Sequence, residues 1–182
     1  MYPYRCNTGL YQKNTAINSR ENTNTSVTKQ DLSRDKRLLE LLNIAQQEIQ
    51  QSMQSYNNLM QNNAMKNDTE LLRNAYLDEI KHLQQLQEML YIISGETPST
   101  NTVNQTSTMT ENNIASAIEK TLMQEMEQTD FFRELLLCIA QTELRDILFE
   151  IITDKQDHCI RLCFLFTKYQ KKKFLFHVIL KQ

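Results

Sequence analysis

Residues Leu77–Leu86 read LDEIKHLQQL. The Glu79–His82 spacing puts both side chains on one face of a helix, either as an ordinary surface pair or as half of a metal site. Alone, the pattern E-x-x-H is short and common. Its weight comes from a second copy. An offset of 76 residues lays one half of the chain on the other without a gap. It places Leu38 on Ile114, Leu42 on Ile118, Tyr56 on Phe132 and Leu59 on Leu135. It also places Leu72 on Leu148, Asp78 on Asp154, His82 on His158 and Leu86 on Leu162. Residues 38–91 thus match 114–167. Any two amphipathic helix pairs align somewhere. A shared Asp-x-x-x-His frame that uses two of only 3 His in the chain argues instead for an internal repeat.

The repeat unit is a pair of helices. The chain has 182 residues but only 2 Gly and 2 Pro, too few turn formers for a sheet, so the fold class is all-α. Apolar residues recur at helical spacing from Leu38 to Met60. A second helix is expected to open at an Asn67/Glu70 capping box and to end near Ser94, at Gly95 and Pro98. A third runs from about Asn113 to Cys138. After a break at Gln141–Thr142, a fourth reaches about Tyr169. Short breaks within each pair predict two antiparallel hairpins. The polar segment 96–112 between them, at roughly 3.3 Å per residue, spans about 55 Å. That exceeds a helix of roughly 35–42 Å, so the segment is long enough to cross the bundle. A four-helix bundle of two hairpins with one long crossover is the ferritin-like connection. The expected domains are a flexible tail at 1–30, a bundle at 31–170, and a basic and apolar tail at 171–182.

Positions seven apart define the seam of each helix that faces the interior. They are Leu42, Ile49 and Tyr56; Leu72, Glu79 and Leu86; Ile118, Glu125 and Phe132; and Leu148, Lys155 and Leu162. The adjoining row carries His82 and His158. Glu79, His82, Glu125, Lys155 and His158 therefore point inward at about one height. Buried charges are costly unless paired or metal-bound, so five polar groups converging by accident is a poor explanation.

At these residues the stretches EMEQTDFFRELL and TELRDILFEIITDKQDHCIRLCFLF, with DEIKH at 78–82, resemble rubrerythrin-type ferritin-like proteins of Gram-positive spore formers. The resemblance covers about residues 38–167. It implies a dinuclear iron or manganese site of four carboxylates and two His. It further implies that Glu79, His82, Glu125 and His158 are the residual ligand set. Ile49 and Lys155 stand where the two missing carboxylates belong. Glu48 lies about 100° off the seam and replaces neither. The remaining set is compatible with a single Fe, Mn or Zn ion, but an ammonium at position 155 carries positive charge where metals would sit. We therefore expect no resident cofactor and no catalytic residue. Lys155 is expected within about 2.7–3.2 Å of Glu79 or Glu125. In that case the two His are core residues hydrogen-bonded to those carboxylates.

The expected function is a non-enzymatic structural or interaction scaffold, cytoplasmic and, if the resemblance extends so far, spore-associated. The alternative is a metal-dependent (Fe/Mn) oxidoreductase or iron-binding protein of the rubrerythrin/ferritin type. A net charge of −2 gives no reason to expect nucleic acid. No apolar run approaches 18 residues, so no transmembrane segment is expected, and the N-terminus lacks an apolar signal core. Cys6, Cys138, Cys159 and Cys163 fit no zinc or C-x-x-C spacing and read as reduced thiols, with Cys159 and Cys163 packed. The apolar stretch Phe174–Leu180 is expected to dock on its own bundle or to mediate self-association. The expected partners are further copies of the chain or other proteins.

Overall fold

A computed structural model describes the backbone of residues 29–95 and 113–179, and the side chains of 36–95 and 113–171. Among these residues there are four α-helices: α1 (Lys29–Gln61), α2 (Thr69–Ser94), α3 (Ile114–Cys138) and α4 (Thr142–Ile179). One turn of 3-10 helix, Asn63–Met65, lies in the α1–α2 joint. The fold is an all-α four-helix bundle. None of its described helices is long and apolar enough to cross a membrane.

The helix ends have identifiable causes. Gly95 adopts φ 71°, a left-handed conformation that L side chains avoid, and its N–H closes α2 on Tyr91 O at 2.8 Å. At the α3–α4 joint the Arg145 guanidinium donates to Leu136 O and Ile139 O at 2.7 and 2.9 Å. It thereby satisfies carbonyls that the end of α3 leaves unpaired. The expected capping box at Asn67/Glu70 does not form. α2 starts at Thr69 behind Asp68, which makes no side-chain cap. The Asp68 carboxylate instead accepts from Lys168 Nζ at 2.6 Å and Tyr169 OH at 2.9 Å. A part-buried ion pair to another helix outcompetes the local cap. Near the chain end, α4 does not stop near Tyr169 but continues through Ile179, for no Gly or Pro interrupts it. The expected 1–30 tail, for its first 28 residues, and the 96–112 connection lie outside the described residues. So do the side chains of Phe174–Leu180.

α1 packs against α2 and α3, and α4 packs against α3 and α2. The apolar core is divided into two parts. One joins the first half of α1, the second half of α2, the second half of α3 and the first half of α4, through residues such as Leu42, Leu86, Leu135 and Leu148. The other joins the complementary halves, through residues such as Leu59, Leu72, Ile118 and Leu165. Each such buried side chain contributes about 1.5–3 kcal/mol. Between the two apolar parts lies a polar layer.

Candidate functional site

The polar layer is built from one or two turns of every helix. Ser52 and Tyr56 come from α1, Glu79 and His82 from α2, Glu125 and Gln128 from α3, and Lys155 and His158 from α4; all are fully buried. The structure thus brings together every polar seam residue singled out in the sequence. Ile49, also fully buried, belongs to the apolar core beside the layer.

Lys155 is the centre. Its Nζ donates to Glu79 Oε1 at 2.8 Å, Glu125 Oε2 at 3.1 Å and Gln128 Oε1 at 2.6 Å. An ammonium has three N–H donors, and here each has an acceptor. Burial alone would push the Lys155 pKa down. The Glu125 and Glu79 charges and hydrogen bonds overcome that and raise it. For Glu79 the logic inverts. Burial favours the neutral acid, but the Lys155 charge and the contacts from His158 and His82 hold the carboxyl well below the usual range.

The two His flank this pair. His158 Nδ1 lies 3.2 Å from Glu79 Oε1 and 3.5 Å from Glu125 Oε2, close charge contacts without hydrogen-bond alignment. Its Nε2 faces Asp78 Oδ2 at 3.1 Å. Burial would lower its pKa, but Glu125 and Glu79 push it up to about 9. His82 repeats the arrangement, with Nδ1 3.4 Å from Glu79 Oε2 and Nε2 3.1 Å from Asp154 Oδ2. Each His thus reaches the Asp of the other Asp-x-x-x-His frame, across α2 and α4. The core thus sets the Lys155 ammonium and the His158 ring against the Glu79 and Glu125 carboxyls.

The sequence reading missed four members of this network. Ser52 donates toward Glu125 Oε1, and Gln128 accepts from Lys155 while its Nε2 donates to Glu48 O at 2.9 Å. Ser52 and Gln128 are repeat-related and lie one turn beyond Ile49 and Glu125. That register was the available signal, but neutral polar residues do not announce themselves. Asp78 and Asp154 stand out in the sequence only as matching positions of the repeat. Glu48 accepts from the Gln128 amide at the rim of the layer and not at its centre.

Tyr56 presents its ring edge to His158, with centroids 5.7 Å apart. Its buried hydroxyl has no aligned hydrogen-bond partner, and burial with the nearby Glu125 charge raises its pKa well above the ordinary value. Cys159 is half-buried, and burial pushes its thiol up to about 11, so it is a poor nucleophile. Two expectations about cysteines are corrected. Cys163 is exposed, not packed, because it faces away from the α4 seam. Cys138 is disulfide-bonded, not a reduced thiol.

Glu79, Glu125 and His158 offer three ligand-type atoms within 4.8 Å of one another. A metal ion ligated by them would sit about 2.0–2.2 Å from each. The carboxylate oxygens it would use are those that hold Lys155. An ion there would face an ammonium across its own ligands and would compete for two of the three acceptors of its N–H groups. With Ile49 apolar and Lys155 cationic beside only two buried carboxylates, Glu79 and Glu125, the residues present do not fit a dinuclear carboxylate centre. No protein-family model matches the chain, and neither a curated protein nor a solved structure is detectably similar to it.

Proposed function

We propose that this chain is a ferritin-like scaffold in which an internal ion cluster has taken the place of a dinuclear metal site. In this reading it is a structural or interaction protein without catalytic activity. Two antiparallel hairpins, α1–α2 and α3–α4, would be joined by a crossover through 96–112. The hydrogen-bond register supports this topology. Glu48, Ser52 and Ser55 of α1 meet Gln128, Glu125 and Gln124 of α3 in descending order. α1 and α3 therefore run in opposite senses, which leaves the end of α2 and the start of α3 at opposite ends of the bundle. The observation that carries the functional reading is the complete use of the Lys155 ammonium by Glu79, Glu125 and Gln128. A cluster whose buried charged groups pair with one another holds the four helices together without a metal.

Spore association rests on the resemblance alone, and cytoplasmic residence rests on the reading of the cysteines as reduced thiols, which Cys138 does not fit. Elemental analysis of protein purified from metal-supplemented cells tests the functional reading, with substoichiometric Fe, Mn and Zn expected. The second reading, an Fe- or Mn-dependent oxidoreductase or iron-binding protein, is favoured only by the Glu79/Glu125/His158 grouping. A stoichiometric pair of Fe or Mn ions per chain would put it in place of the first.

A further inference from the structure

The repeat supplies an internal control for the surface. On α3, Met123, Met126 and Leu137 are exposed; on α4, so are Phe149, Ile160 and Phe164, with relative exposures between 48% and 68%. The offset that matches the two halves places these six on Gln47, Gln50, Gln61, Arg73, Gln84 and Glu88. Every counterpart is polar, and all are exposed except half-buried Gln50. At these six positions the repeat is thus polar on the first half and apolar on the second, while the reverse holds at exposed Leu77, Tyr91 and Ile92 of α2, which fall on Thr153, Thr167 and Lys168.

The six residues share one face. Met123 and Met126 lie one turn apart, with Leu137 three turns further along. Phe149 and Ile160 lie three turns apart, with Phe164 one turn beyond. Gln124 and Gln128 mark the side of α3 that faces α1, and Glu150, Asp154 and His158 mark the side of α4 that faces α2. Both apolar stripes occupy the opposite flank of their helix. That is where α3 and α4 pack together, so the stripes border one outer face of the bundle.

We propose that this α3/α4 face is the contact surface for a second copy of the chain, related by a two-fold axis. Two observations select this occupant. Six large apolar side chains exposed to that degree present on the order of 700 Å², close to the roughly 800 Å² per partner of a stable interface and above a typical monomer patch. Furthermore, the α4 backbone is helical through Ile179. Its apolar end therefore prolongs the α4 axis and does not fold back across α3 to cover the face. The surface does not depend on whether the buried cluster binds metal.

The test uses the full chain with Phe149→Arg, Ile160→Gln and Met126→Gln combined. These are the residues the first half carries at the matching positions, so the helices should tolerate them. Sedimentation of the wild type should show a dimer, and footprinting should show Phe149 and Ile160 protected in it. The triple variant should weaken dimerisation by at least about a hundredfold, with unchanged helix content and melting temperature. A monomeric wild type overturns the proposal, whether the face is then open or covered by residues 1–28. A dimer that leaves Phe149 and Ile160 unprotected, or that survives the substitutions in the folded variant, also overturns it.

Discussion

At the residue scale, Lys155 does the work that the resemblance would assign to metal ions: it neutralises buried carboxylates. Removing it takes the ammonium from the buried Glu79 and Glu125 and leaves them the His158 ring as a cationic neighbour. We expect Lys155→Ala to cost roughly 3–5 kcal/mol, measured by urea unfolding at neutral pH. Lys155→Met preserves volume and isolates the charge effect. Without the ammonium the carboxylates are better accommodated as neutral acids, so this variant should gain stability as pH falls toward 5. The wild type should behave differently. The Glu79 pKa is depressed in the folded state, so its contribution is present above the unfolded carboxyl value of about 4.3 and lost as pH falls through the acid range. The His158 pKa is raised to about 9, so its contribution is full below the unfolded value of about 6.5 and lost as pH rises through 9. Stability should therefore peak between about pH 5 and 6.5. Replacing His158 with Gln should flatten the alkaline side of that profile and leave the acid side in place.

At the element scale, side chains from other helices secure the joints where local caps do not. Arg145 holds two carbonyls at the end of α3, and Arg145→Ala should cost about 1.5–3 kcal/mol by thermal or urea unfolding. Asp68 joins the α1–α2 joint to α4 through Lys168 and Tyr169, and burial together with the Asp68 contact lifts the Tyr169 phenol pKa to about 12. Tyr169→Phe should cost about 1 kcal/mol, and Asp68→Ala more, because it strands a lysine as well. These elements also show what could be read from the sequence. Gly95 was legible because a left-handed C-cap is a local signal carried by one residue type. The apolar seams and the five inward polar groups were legible because helical periodicity fixes direction. The Asn67/Glu70 box was misleading because a tertiary partner on α4, about a hundred residues away, claimed the adjacent Asp68. The extension of α4 to Ile179 was missed because a lysine run reads as a tail. In fact Lys is a good helix former, and nothing there breaks the helix. Ser52 and Gln128 were missed because a neutral polar residue in a seam row looks the same whether it pairs with a buried charge or with water.

At the scale of the whole molecule, the two halves share an architecture and differ in charge. The second half contributes Glu125, Gln128 and Lys155 where the first has Ile49, Ser52 and Glu79, and the cluster forms only when the halves meet. Restoring carboxylates with Ile49→Glu and Lys155→Glu should create a site that takes up Fe or Mn, scored by metal content and by metal-dependent stabilisation. The central claim is that the Lys155 ammonium occupies the place of the cation. Isotope-edited NMR of the Lys155 and His158 side-chain nitrogens during a Mn(II) titration tests it most directly. The account expects Lys155 to stay a hydrogen-bonded ammonium beyond the ordinary lysine range, with neither signal selectively broadened by Mn(II). A neutral Lys155 amine, or selective loss of both signals at one equivalent of Mn(II), would contradict it.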